Sequence, residues 1–184
     1  MKTESNVHYI LRLTLTLLII TSVVAAALAG VNSITAPKIA DLTAQKTQKA
    51  IEAVLPGGYE AEVLEFNDAT GLVTKVYSGL NGFAYEVTPS GFDNTITMMV
   101  GVDPMGNLLG ISVVKHTETA GLGAVAAATT TAGEAFRGQF VGKSGSVSVT
   151  KDGGEIDAIT GATITSRAIC EGVNAALACT VNAG

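Results

Sequence analysis

In the stretch DAITGATITSRA, Asp157 to Ala168, three threonines and a serine crowd around Gly161 just before the chain turns apolar at helical spacing. Hydroxyls in that place have two uses. As N-caps, Thr163, Thr165 or Ser166 would accept a hydrogen bond from an orphan N–H of the helix that follows. As an open group, the Thr163 hydroxyl would stand beside the small pair Gly161-Ala162 on a loop feeding a helix N-terminus, where free N–H groups and the helix dipole favour a phosphate. Capping accounts for neither Asp157 nor the Gly-Ala pair, and an open hydroxyl in that setting suits a bound phosphoryl group. The residues alone leave both uses open.

Other chemistries fail on spacing. Gly142-Lys143-Ser144 looks like the end of a P-loop, but the glycine required five residues before Gly142 is Arg137, and Gly138 is one place late. The backbone cradle cannot close around a nucleotide's phosphates without it. Gly121-x-Gly123-x-x-Ala126 loosely matches a dinucleotide fingerprint, yet Glu134 is too near and Asp152 too far to hold the ribose. Cys170 and Cys179 fall on opposite faces of the helix expected there and make no haem, iron–sulfur or zinc pattern. No metal site is expected, and any electron transfer would fall to an organic cofactor. From Val31 onward 9 Lys and Arg face 15 Asp and Glu, a net charge of −6, with no basic stripe and no Trp to stack bases. That balance excludes nucleic acid as a partner.

These stretches need elements to hold them. Between Gly58 and Lys115 the chain reads as short β-rich runs: AEVLEF, LVTKVYSG, GFAYEVTPSG, TITMMVGVD and LLGISVVKH. Gly and Asn mark the breaks, and DPMGN at Asp103–Asn107 is a hairpin turn. A Gly/Ala/Thr loop follows, then a short helix over TAGEAFRGQFVGK that places Phe136 and Phe140 at i, i+4 in the core. SVSVT, from Ser146, reads as one more strand. The terminal ITSRAICEGVNAALACTV carries Ile164, Ala168, Ile169, Val173, Ala176 and Leu177 as a helical stripe. Strands followed by helices predict an α+β fold, a small antiparallel sheet with flanking helices.

Hydrophobic residues make up 47% of the chain, and much of the excess sits near the N-terminus. Leu13 to Gly30 are 18 residues without a charge, a helical length of ~27 Å that approaches the hydrocarbon thickness of a bilayer. Tyr9 and Arg12 suit one interface. The same pattern fits a cleaved secretory signal ending at Ala27-Leu28-Ala29. The block is read as an uncleaved signal anchor over 9–31, after a short segment over 1–8. A membrane-proximal helix over 32–57, with Ile39, Leu42, Ile51 and Val54 among polar residues, is expected to stop at Pro56-Gly57-Gly58. The remaining residues, 58–184, suit one compact domain. Lys2 and Arg12 on one side of the span are matched by Lys38, Lys46 and Lys49 on the other, so charge does not orient it.

DAITGAT meets in full the D-x-x-[ST]-G-A-[ST] pattern at which a flavin transferase attaches FMN through a phosphoester bond, with Asp157, Thr160, Gly161, Ala162 and Thr163 in its fixed places. HTETAGLGA resembles the H-x-E-T-P-G-L-G loop of the same proteins. It matches at Glu118, Thr119, Gly121, Leu122 and Gly123 and departs at Ala120, where proline is usual. With the anchor followed by VLPGG, these motifs span nearly the whole chain. It resembles the FMN-binding G subunits of Rnf ion-translocating oxidoreductases, which are homologous to the C subunits that carry covalent FMN in Na+-translocating NADH:quinone reductases. The short chain, without larger insertions, favours the Rnf branch.

The resemblance implies covalent FMN on Thr163, with no catalytic residue in this chain by itself and no metal. Asp157, Thr160, Gly161 and Ala162 would belong to the motif read by the transferase, Asp157 orienting the hydroxyl. The Glu118–Gly123 loop would lie against the flavin, its glycines letting backbone N–H groups approach, and His116 would either hydrogen-bond nearby or be a plain surface residue. The flavin would be one relay in a complex passing electrons between reduced ferredoxin and NAD+, coupled to Na+ or H+ transport. Its partners would be the other membrane and peripheral subunits, the transferase during maturation, and the lipid bilayer. The resemblance also implies a single pass in the cell membrane, a cytoplasmic N-terminus and an extracytoplasmic FMN-binding domain over 58–184. Three alternatives stand beside this: the FMN-bearing subunit of an NADH:quinone reductase, a membrane-anchored flavin redox sensor, and an extracytoplasmic binding domain without cofactor whose Thr-rich stretch only caps a helix.

Overall fold

Alternating apolar residues and tight turns bring most of the β-rich runs together as neighbours. The computed structural model describes residues 3–181. It contains a five-stranded antiparallel sheet in the order β1-β3-β4-β5-β6, formed by β1 (Tyr59–Val63), β3 (Val73–Gly79), β4 (Gly82–Val87), β5 (Thr97–Val102) and β6 (Leu108–Lys115). The Asp103 turn joins β5 to β6: its carboxylate accepts from the Met105 and Asn107 N–H groups, each at 2.8 Å. The run AEVLEF does not stay in one strand. It divides into β1 and a short β2 (Phe66–Asn67), which pairs with β7 (Thr180–Val181) near the chain's end.

Both faces of the sheet are covered. One packs Val76, Tyr85, Val87, Met98, Val100 and Ile111 against α2 (Thr131–Gly138) and α3 (Thr163–Ala178). The other packs Tyr77, Ala84, Met99 and Val114 against Ala50, Ile51, Val54 and Leu55. These last residues come from the end of α1 (Thr3–Val54) and the turn after it, where Gly57 and Gly58 take positive φ as the expected stop requires. The helix meets the sheet closely: a Cβ on Gly101 would lie 2.2 Å from the Val54 carbonyl oxygen.

Several local expectations change. The anchor and the membrane-proximal helix are one α-helix that runs through Pro37, although an interior proline removes one N–H and crowds the turn before it. Val7–Val54 is long and apolar enough to cross a membrane, with an 18-residue window of mean hydropathy 2.3. The chain divides into two compact units, Met1–Ala44 and Gln45–Gly184. SVSVT forms no strand: Val149 makes one isolated parallel bridge to Ile156, and Thr150–Asp152 is a 3₁₀ turn. α2 ends at Gly138, so Phe140 lies beyond it, but the Phe136 and Phe140 rings still meet edge to face at 5.6 Å, both buried. Cys179 lies just past α3, and both cysteines are free and buried, Cys170 with its thiol pushed up to about 11 by burial.

Candidate functional site

Two turns with the same logic build the site. In the first, the Leu122 N–H donates to the Thr119 carbonyl at 3.1 Å across Ala120 and Gly121; in the second, the Ala162 N–H donates to the Ile159 carbonyl at 2.9 Å across Thr160 and Gly161. Gly121 and Gly161 each sit third in their turn at φ +76°, the place where a type II turn needs glycine. Leu122 lies over Gly161: a Cβ there would be 3.0 Å from Leu122 Cδ2. The two motifs, far apart in sequence, therefore share one site.

Between them lies a cavity of about 360 Å³ lined by Phe92, Glu118, Thr119, Leu122, Gly123, Lys151 and residues 161–165, within the ~300–1,000 Å³ range of small-molecule sites. Thr163 is the first residue of α3, and Ala162 is its N-cap. Among the described residues no side chain caps this N-terminus, which removes the capping use of the hydroxyls. The Thr163 Oγ1 instead accepts from Lys151 Nζ at 3.2 Å. Ser166, fully buried, accepts from the Ile159 N–H at 3.0 Å and donates to the Ala162 carbonyl at 2.9 Å, fastening the turn onto the helix it precedes.

Glu118 is 7% exposed and fully engaged. One carboxylate oxygen accepts from the N–H groups of Phe92 at 2.9 Å and Asp93 at 3.3 Å, and the other from the Thr165 hydroxyl at 2.5 Å. A Cβ on Gly123 would fall 2.5 Å from that second oxygen and 2.6 Å from Thr165 Oγ1. Gly123 thus makes room for the buried carboxylate, and it also lines the cavity. The exposed loop that carries Phe92 is held over the cavity by Glu118, and Phe92, Leu122 and Ile164 give its rim exposed apolar surface.

Not every expected residue reaches the cavity. Asp157 and Thr160 are exposed and do not line it. Gln139 holds Asp157 through the backbone, accepting its N–H at 2.7 Å and donating to its carbonyl at 3.2 Å. His116 is half-buried, and its Nδ1 has no partner among the described residues. Ile164, expected in the core stripe, faces the cavity at 50% exposure. Phe92 and Lys151 belong to no motif; only the return of distant loops to one place brings them in. Lys151 sits in the 3₁₀ turn beside Asp152, whose carboxylate the Arg167 guanidinium holds below its usual pKa through a bidentate pair at 2.6 and 2.7 Å.

Known proteins resemble this chain in sequence. Residues 91–178 match the family model of the FMN-binding domain. The chain is 32% identical to the G subunit of the Na(+)-translocating ferredoxin:NAD(+) oxidoreductase complex of Acetobacterium woodii, over 94% of this chain and 92% of that protein. It is 31% identical to the G subunit of the ion-translocating oxidoreductase complex of Methanosarcina acetivorans, over 94% and 95%. A stretch of 91 residues is 42% identical to the G subunit of the proton-translocating ferredoxin:NAD(+) oxidoreductase complex of Clostridium ljungdahlii, over 47% of this chain and 46% of that one.

Proposed function

The chain belongs to the G-subunit family of ion-translocating oxidoreductase complexes, and from that premise we propose that it is the electron relay of such a complex, carrying FMN esterified through its phosphate to Thr163. One observation carries the reading: the Thr163 hydroxyl opens into a cavity shared with the Glu118–Gly123 loop, at an uncapped helix N-terminus and beside a lysine ammonium. Backbone N–H groups, helix dipole and cation all favour a phosphate there. FMN would supply a centre that takes up and releases one or two electrons.

The chain's own residues hold and shield. Thr163 provides the ester oxygen and Lys151 a positive charge beside it. Phe92, Leu122 and Ile164 provide apolar contact, and Glu118 keeps the Phe92 loop in place. Asp157 and Thr160, exposed and outside the cavity, are accessible to a flavin transferase acting before the site is filled. A tether retains the flavin without any binding equilibrium, which suits a relay domain on the extracytoplasmic side with the N-terminus in the cytoplasm. No acid lies in the uncharged run Leu13–Gly30, so ion movement falls to partner subunits.

The test is the mass of the protein coexpressed with a flavin transferase, followed by peptide mapping. A gain of one FMN less one water on the peptide holding Thr163 is expected, with Thr163→Val giving a folded, colourless chain. Covalent flavin retained by Thr163→Val would refute the assignment.

A further inference from the structure

Lys151 lies outside both sequence motifs, yet among the described residues lining the cavity it is the one cation. Its Nζ donates to Thr163 Oγ1 at 3.2 Å. The ion pairs of the described residues, Lys75–Glu86, Lys143–Glu155 and Arg167–Asp152, leave it without a carboxylate. Both oxygens of the neighbouring Asp152 accept from Arg167, and the cavity's acid, Glu118, accepts from Phe92, Asp93 and Thr165.

We propose that Lys151 is a positioning residue for the flavin phosphate, its ammonium pairing with the phosphoryl oxygens held at Thr163. This rests on Thr163 being where that phosphate sits. The Asp152–Arg167 pair gives the lysine its place: Arg167 stands one helical turn beyond Thr163 on α3, so the bidentate contact ties the 3₁₀ turn bearing Lys151 to the helix bearing Thr163. The same pair engages the adjacent carboxylate, which acts on the ammonium through its field and forms no close ion pair with it. A flexible four-carbon stem that already reaches the ester oxygen also reaches the non-bridging oxygens two bonds away, on the same phosphorus. Glu118 presents its charge to backbone and hydroxyl donors instead of to the cavity, so the anionic ligand meets a cation and no free carboxylate.

The experiment separates a phosphate contact from a structural one by comparing FMN with riboflavin, which lacks the phosphate. Both are titrated into full-length Thr163→Val protein in detergent, with Lys151 intact, with Lys151→Met and with Lys151→Arg. FMN should bind the parent more tightly than riboflavin. Lys151→Met should weaken FMN about tenfold, the scale of a partly exposed charge-assisted contact, and leave riboflavin unchanged. Lys151→Arg should restore most of the loss. FMN binding no more tightly than riboflavin to the parent, or an equal loss for both ligands in Lys151→Met, overturns the proposal. Intact mass of the Thr163 protein coexpressed with the transferase reports separately on the covalent ester. A phosphate preference without a mass gain would leave Lys151 in its role and remove the tether.

Discussion

Glu118→Ala should release the Phe92 loop from the cavity while the sheet stays folded. In the parent the Phe92 and Asp93 amides, on otherwise exposed residues, both donate to one oxygen of a carboxylate that is 7% exposed. A hydrogen bond to a charged acceptor contributes ~1.5–3 kcal/mol. If these amides exchange by local opening, losing the acceptor removes about 10- to 100-fold of protection. Thr165, at 1% exposure, loses the partner of its hydroxyl and has little access to water, which adds about 1–3 kcal/mol of global destabilisation. Glu118→Gln keeps one oxygen for the two amides and should preserve most of the protection. Amide exchange followed by NMR on the full chain in micelles reads this directly, with Val100 in the sheet centre reporting the global loss against which the local one is measured. Phe92 and Asp93 exchanging equally fast in the parent and in Glu118→Ala would refute the latch.

Three further outcomes are expected. Ala120→Pro should stabilise the chain by about 0.4–1 kcal/mol in chemical denaturation, because Ala120 is the second residue of the Thr119–Leu122 turn, where proline's fixed φ belongs. Gly101→Ala should cost about 1–3 kcal/mol by the same measurement, since the new Cβ meets the Val54 backbone and no rotamer change relieves it. Stability should hold from neutral pH down to about pH 5 and decline below about pH 4. Burial alone would raise the Asp68 pKa, but hydrogen bonds from the Thr70 hydroxyl and the Val73 and Thr70 amides hold it below its ordinary 3.8. A lowered folded pKa means its contribution is complete above 3.8 and is lost as pH falls through the folded value. Asp68→Asn should flatten that decline in an acid titration followed by circular dichroism.

Much of the architecture is legible in residue pattern because its causes are local. The period-2 runs, the Asp103 turn, the glycine stop after α1 and the α3 stripe depend on neighbours within a few residues. SVSVT shows the limit of that logic: alternation alone does not make a strand where no partner edge is offered, and Val149 finds only one bridge. The run AEVLEF splits because its second half pairs with Thr180 and Val181, far along the chain. At the site, the sequence by itself determined the two glycine turns and the threonine at the head of a helix, since each is a short-range rule of backbone geometry. Only the tertiary structure decided which groups meet there. Lys151 at Thr163, Glu118 beneath the Phe92 loop, and the Thr165 hydroxyl against Glu118 arise from contacts between segments separated by 12 to 47 residues. No local preference encodes such contacts. They follow from the packing of the sheet and α3, which fixes where each loop must return.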